Sequence, residues 1–173
     1  MVRLLLLRHA KALRDGGAAT DADRPLAPEG VAAAAAMGAA MHKAGYLPER
    51  ILCSPARRTR ETLLGILPGL LLGLPENAEI AFVPGLYDGS AAACADLVRT
   101  LGGQASPLLL VGHNPAIEEL ARAFAGSGAA DLRQALAAKF PTAALAVVDF
   151  AGGAWSEMAP GTGRLVDFVV PAG

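Results

Sequence analysis

Two of the three histidines in this chain directly follow apolar runs: His9 after Leu4–Leu7 and Arg8, His113 after Leu108–Val111 and Gly112. Arg57 and Arg58 follow a third run that ends at Cys53-Ser54. Guanidinium forks match phosphate oxygens bidentately, and a neutral imidazole is a nucleophile that can attack phosphorus without a metal. A lone histidine would read as a satisfied, partly buried side chain. Two at equivalent positions, with arginines beside them, read as a site for a dianion. Tyr87-Asp88 and Asn114 hold comparable positions after apolar segments.

Those residues need a scaffold that presents the ends of several strands together. Val2–Leu7 is apolar except for Arg3, as expected of a strand covered on both faces. A loop rich in Gly, Asp and Pro separates it from Pro28-Glu29, where proline and an acid suit the first turn of a helix running to Gly45. Further strands are expected at Arg50–Cys53, Glu79–Val83 and Leu108–Val111. Helices are expected from Pro55 to Leu67, from a Ser90 cap to Leu101, from Pro115, and over Leu132–Ala138. Three closing strands are read at Ala143–Phe150, Ala154–Met158 and Leu165–Val170. The alternation predicts an α/β fold in three layers, α/β/α, with a mostly parallel central sheet and antiparallel C-terminal strands. Ligands of such sheets bind beyond the carboxyl ends of the strands, where the histidines and arginines fall.

The 173 residues fit one domain, 1–173, at about 100–200 residues per domain. With 53% hydrophobic and 18% charged residues, the chain has ample material for a core. A net charge of −1 argues against nucleic acid or an anionic membrane as partner. Leu4–Leu7 is shorter than a signal-peptide core of about 7–15 residues. Leu63–Leu74 is broken by Gly65, Pro68, Gly69 and Gly73, and falls short of the roughly 20 residues that span a bilayer. Cys53 and Cys94 form no disulfide framework, so a reduced, cytoplasmic protein is expected. Twelve arginines against three lysines, with abundant Ala and Gly, are associated with GC-rich bacterial genomes. No cofactor motif is present: Gly161-Thr162-Gly163 precedes a strand rather than a helix, and the histidines lack metal-ligand spacing. A Cys-x5-Arg phosphatase is excluded because Thr59 stands six residues after Cys53.

Three motifs, Arg8-His9-Ala10-Lys11-Ala12, Ser54-Pro55-Ala56-Arg57-Arg58-Thr59-Arg60-Glu61-Thr62 and Val111-Gly112-His113-Asn114-Pro115, resemble in order the signatures of the histidine phosphatase superfamily. That superfamily includes phosphoglycerate mutases and acid phosphatases, and the resemblance implies a phosphoglycerate mutase-like fold. Asp23-Arg24-Pro25-Leu26 and Lys139-Phe140-Pro141-Thr142-Ala143 are similar to its small SixA-type phosphohistidine phosphatases. Ala10 departs from the Gly that many superfamily members carry. The resemblance implies that His9 is the nucleophile and that Arg8, Arg58 and His113 bind the transferring phosphoryl group. Helix spacing places Ser54, Arg58 and Thr62 on one face, with Arg57 and Arg60 as alternatives to Arg58. Arg24 and Asn114 are further candidates for substrate contact.

Asp88 is the carboxylate best placed to protonate an alkoxide leaving group, against the plainer reading of a turn aspartate before Gly89. The stretch from Arg58 to His113 holds only a helix, a strand and a helix, leaving no room for a lid. These features favour a metal-independent phosphatase acting on phosphohistidine of a phosphocarrier or phosphotransfer protein. A small-molecule phosphomonoesterase or mutase, and a non-catalytic phosphate-binding module, are the alternatives.

Overall fold

The computed structural model describes residues 1–171. In chain order the elements are β1 (Val2–Arg8), α1 (Pro28–Ala44), β2 (Arg50–Cys53), α2 (Arg57–Leu70), β3 (Glu79–Phe82), α3 (Gly85–Asp88), α4 (Ala91–Leu101), β4 (Leu108–Gly112), α5 (Ala116–Phe124), β5 (Ala125–Gly128), α6 (Ala130–Ala138), β6 (Leu145–Phe150) and β7 (Gly163–Val169). The seven strands form one sheet in the order β3-β2-β4-β1-β6-β7-β5. β1 to β4 are mutually parallel, and β6 runs antiparallel to both β1 and β7.

Alternation along the strands divides the core into two layers. Leu4, Leu6, Leu52, Leu108, Leu110, Ala146 and Val148 pack on one face against Val98 of α4, Leu120 of α5 and Leu136 of α6. Leu5, Leu7, Ile51, Leu109, Val111 and Val147 pack on the other against Met37 and Met41 of α1 and Leu63 and Ile66 of α2. Near-continuous apolar strands are thus the consequence of a sheet covered twice. Both cysteines are free and buried; burial pushes the Cys53 thiol up to about 12, leaving it an inert small hydrophobe.

Local signals act as expected at several boundaries. Pro28 opens α1, and Gly45 closes it with φ +78, a left-handed conformation that costs glycine little. The Ser90 hydroxyl accepts from the Ala93 N–H at 3.1 Å at the start of α4. Three readings change. Ala154–Met158 is not a strand: Trp155–Glu157 is a 3-10 turn, and the Trp155 indole N–H donates to the Ala105 carbonyl at 2.7 Å, tying the segment to the loop between α4 and β4. The strand expected from Ala143 starts at Leu145, because Ala143 takes φ +62. α2 starts at Arg57, two residues after Pro55.

Two elements were not anticipated. β5 is Ala-Gly-Ser-Gly, without apolar periodicity, and is a strand because its backbone pairs with β7. α3 is a single turn, Gly85–Asp88, in the connection between the strand expected at Glu79–Val83 and the Ser90 cap.

Candidate active site

Strand register builds the site. β1 and β4 pair with Arg8 opposite Gly112, so the next residues, His9 and His113, leave the sheet side by side with ring centroids 5.4 Å apart. β2 pairs with β4 with Cys53 opposite Val111. That sets Ser54 beside His113, and the Ser54 hydroxyl and His113 Nε2 lie 2.7 Å apart. One arrangement of parallel strands therefore delivers three motifs that are up to about a hundred residues apart in sequence.

The turn after β1 is tied down at every residue. The Ala143 N–H, in its left-handed conformation, is directed at both the Arg8 and His9 carbonyls at 3.1 Å, and His9 N–H donates to the Gly112 carbonyl at 3.0 Å. The Thr62 hydroxyl accepts from Ala10 N–H at 2.9 Å and donates to the Arg58 carbonyl at 2.7 Å, locking α2 to this turn. The Ala10 methyl is buried among Leu26, Ala34 and Ala143, so the pocket takes alanine where glycine is common. Gly30 at the start of α1 is dictated by the same turn: a Cβ there would lie 2.1 Å from the Lys11 carbonyl oxygen.

His9 Nδ1 lies 2.7 Å from the Ala10 carbonyl oxygen. A carbonyl only accepts, so Nδ1 carries the proton and the lone pair is on Nε2. Burial, then the nearby charges of Arg58, Arg8 and Arg24, lower the His9 pKa to about 4, outweighing the opposing bond to Ala10. Burial foremost, with His9, Arg58 and Arg8, lowers that of His113 to about 3. Both rings are neutral at physiological pH.

Arg8 donates Nη1 to the Phe140 carbonyl at 2.9 Å, and burial lowers its pKa from the ordinary arginine value. Two buried side-chain nitrogens among the described residues have no hydrogen-bond partner, Arg8 Nε and His113 Nδ1, and both belong to this cluster. Buried polar atoms are nearly always paired; an anion would accept from Arg8 Nε–H, and from His113 Nδ1–H in the tautomer whose Nε2 accepts from the Ser54 hydroxyl.

Arg58, the arginine that the superfamily motif favours, is buried at 8% exposure and enters the cluster. Its guanidinium lies over the Tyr87 ring, which in turn packs edge-on against His113. Arg57 is exposed and paired with Glu61, and Arg60 is exposed.

The remaining candidates divide. Arg24 donates Nε to the Leu13 carbonyl and Nη1 to Asp21, at 2.9 Å each, so it braces the loop after β1. Asn114 donates to the Phe140 carbonyl and to Glu118, and its own carbonyl accepts the Glu118 N–H, which secures the start of α5 and the carbonyl that holds Arg8. Asp88 ends α3 exposed, and among the described residues it makes no hydrogen bond to the site; its neighbour Tyr87 faces the pocket instead. Asp21 is the residue that sequence reasoning missed. It lies two positions before Asp23-Arg24-Pro25-Leu26 and carries no local signal. No group of three or more His, Cys, Asp or Glu among the described residues is placed to hold a metal ion.

A nucleophile-ready imidazole, a second imidazole and two arginines at the carboxyl ends of parallel strands define a phosphate-handling α/β protein. Residues 4–81 match the model of the histidine phosphatase superfamily (branch 1). An uncharacterized protein of Mycobacterium tuberculosis is 33% identical over 169 residues, covering 95% of this chain and 99% of its own. A structure from Agrobacterium tumefaciens named for the phosphohistidine phosphatase SixA is 31% identical with a TM-score of 0.79, covering 98% of both chains. One of the same name from Nakamurella multipartitia is 30% identical with a TM-score of 0.82, covering 99% of this chain and 97% of its own. The chain belongs to the histidine phosphatase superfamily, and within it is similar to SixA-type proteins. Its activity class is that of a phosphatase.

Proposed function

We propose that the protein removes the phosphoryl group from phosphohistidine on a phosphocarrier or phosphotransfer protein, through a phosphorylated His9. The observation that carries this reading is the His9 Nδ1 bond to the Ala10 carbonyl, which leaves Nε2 as an unprotonated nucleophile within reach of the Arg8, Arg58 and Arg24 fields. In the first step Nε2 of His9 forms a bond to phosphorus while the substrate's N–P bond breaks, and the departing imidazole takes a proton from water. In the second, water attacks the phosphorus, the His9 N–P bond breaks, and inorganic phosphate leaves.

Arg8, Arg58 and His113 surround the phosphoryl oxygens in both steps. Phosphoryl transfer asks mostly for positioning and charge stabilisation, which these groups supply. An imidazole is an easier leaving group than an alkoxide, so a site where Asp21 is held ionised, Glu118 is paired with Arg122 and Asp88 is exposed without a bond to the cluster suits a phosphoramidate. The solved structures named for phosphohistidine phosphatase SixA support the same substrate class. Two free, buried thiols suit a reducing compartment such as the cytoplasm.

The test compares turnover on a phosphohistidine protein, free phosphohistidine and an aryl phosphate, with radiolabel trapping. Preference for the protein substrate, and an acid-labile label lost in His9→Ala, is the expected result. Efficient cleavage of alkyl monoesters in preference to phosphohistidine would overturn the substrate assignment. Label retained in His9→Ala would overturn the nucleophile.

A further inference from the structure

Asp21 sits in a one-turn 3-10 segment, Asp21–Asp23, and gathers donors from three parts of the chain. Its Oδ1 accepts from Arg24 Nη1 at 2.9 Å. Its Oδ2 accepts from Arg58 Nη2 at 3.1 Å and from the Tyr87 hydroxyl at 2.6 Å, and its backbone carbonyl accepts from Arg58 Nη1 at 2.9 Å. Two guanidinium groups and a phenol converging on one carboxylate make the kind of constellation that binds a free anion. Here the chain supplies the anion itself.

This constellation adjoins the phosphoryl pocket. Arg58 belongs to both, and Tyr87 packs on His113. A guanidinium has five N–H donors in a fixed fork. Asp21 takes two from Arg58, so three remain for a phosphoryl group, and the orientation of the fork is set before substrate arrives. The Asp21 side chain is half exposed, and on its outer side an open cavity of about 320 Å³ is lined by Arg14, Thr20, Asp21 and Arg24. Asp21 and Arg24 line this cavity and also belong to the constellation beside the phosphoryl pocket.

We propose that Asp21 fills a second anion subsite next to the phosphoryl pocket and so sets the charge of the substrates accepted. A phosphoryl group carried on a neutral or cationic group meets a compensated wall. One with a carboxylate or second phosphate beside it meets a carboxylate already holding the donors it would need. The inference rests on the phosphatase reading above and deepens it, since the imidazole of phosphohistidine carries no negative charge. Tyr87, then Arg24 and Arg58, hold the Asp21 carboxyl well below the usual carboxylate range, so the counter-anion persists across the working pH range.

The experiment measures inhibition constants against aryl phosphate hydrolysis for phosphoglycolate, O-phosphoethanolamine and inorganic phosphate. The two esters present opposite charges close to the phosphate, and inorganic phosphate reports on the phosphoryl pocket alone. Wild type should bind O-phosphoethanolamine more tightly than phosphoglycolate. In Asp21→Asn, which keeps the shape and loses the charge, the ratio of the two constants should move by about tenfold or more toward phosphoglycolate, over and above any common shift that inorganic phosphate reports. Asp21→Ala should move the ratio the same way.

A ratio that stays within about twofold in both variants, or a parallel weakening of all three ligands, would overturn the inference by reducing Asp21 to a brace for Arg58. Failure of the underlying reading looks different. Aryl phosphate hydrolysis that survives His9→Ala would remove the phosphoryl pocket, and this inference with it.

Discussion

Arg57 and Arg58 are adjacent in the chain and are held by different carboxylates. The Arg58 side chain, 10% exposed, reaches Asp21 across the pocket, while that of Arg57, 49% exposed, pairs with Glu61 one turn along its own helix. Replacing Arg58 with Ala should reduce kcat/KM by about 10²-fold or more, as loss of one transition-state donor does. Arg57→Ala should cost less than about tenfold, because an exposed i,i+4 pair contributes little. Steady-state rates for the two variants decide the matter, and the reverse ranking would put the wrong arginine at the phosphoryl group.

The two imidazoles predict a pH dependence of stability. Both have folded pKa values below the ordinary 6.5, about 4 for His9 and about 3 for His113. From about pH 6.5 downward the unfolded chain therefore takes up protons that the folded chain does not, and stability must fall as the pH drops. Urea midpoints at pH 7 and pH 4.5 should show this loss, and it should shrink in the His9→Ala, His113→Ala double variant.

Ring titration offers a more local check. Arg58→Ala removes one of the charges that disfavour imidazolium, so the His9 pKa should rise from about 4 part of the way toward 6.5, while the burial contribution remains. Proton NMR of the ring resonances reads this directly. An unchanged or lowered value would show that the Arg58 charge does not act on His9.

Asp88→Asn should have little effect, less than about threefold on either a phosphoramidate or an oxygen ester. A working general acid contributes about 10²–10⁴-fold, and an exposed carboxylate without a bond to the site is not placed to do so. Parallel rates on both substrates make the comparison. A selective collapse of ester hydrolysis would mean that α3 rearranges to bring Asp88 onto the leaving group.

Gly30→Ala should damage both stability and activity. The new Cβ would meet the Lys11 carbonyl at 2.1 Å, and backbone must move to relieve it. A cost of about 1–3 kcal/mol is expected from such overpacking. The loop displaced also carries Ala10, whose carbonyl sets the His9 tautomer. Urea unfolding and kcat should fall together; a variant with an unchanged midpoint would show that the turn yields easily.

Much of the site was legible because its determinants are local. An apolar run followed by Arg-His or Gly-His marks a strand end wherever the strand is placed, and parallel α/β connections bring such ends to one side. The resemblance to the superfamily motif favoured Arg58 over Arg57 and Arg60, with the spacing of Ser54, Arg58 and Thr62 in partial support, and Arg58 is the buried one. The acceptor for His9 Nδ1 could not be named in advance, since a bond to the Ala10 carbonyl depends on a turn shaped by Ala143, Thr62 and Gly30 from three distant elements. β5 likewise has no side-chain pattern and exists through pairing with β7. Asp21 is the clearest case. An aspartate in a Gly- and Asp-rich loop is indistinguishable from its solvated neighbours until Arg24, Arg58 and Tyr87 converge on it. For β1 to β4 and the helices α1, α2 and α4, strand and helix identity follow from periodicity and capping within a few residues, so the chain itself decided them, whereas Trp155–Glu157 and β5 take their form from packing and pairing. The electrostatic partners of a loop carboxylate depend on distances between segments far apart in sequence, and only the folded structure sets those.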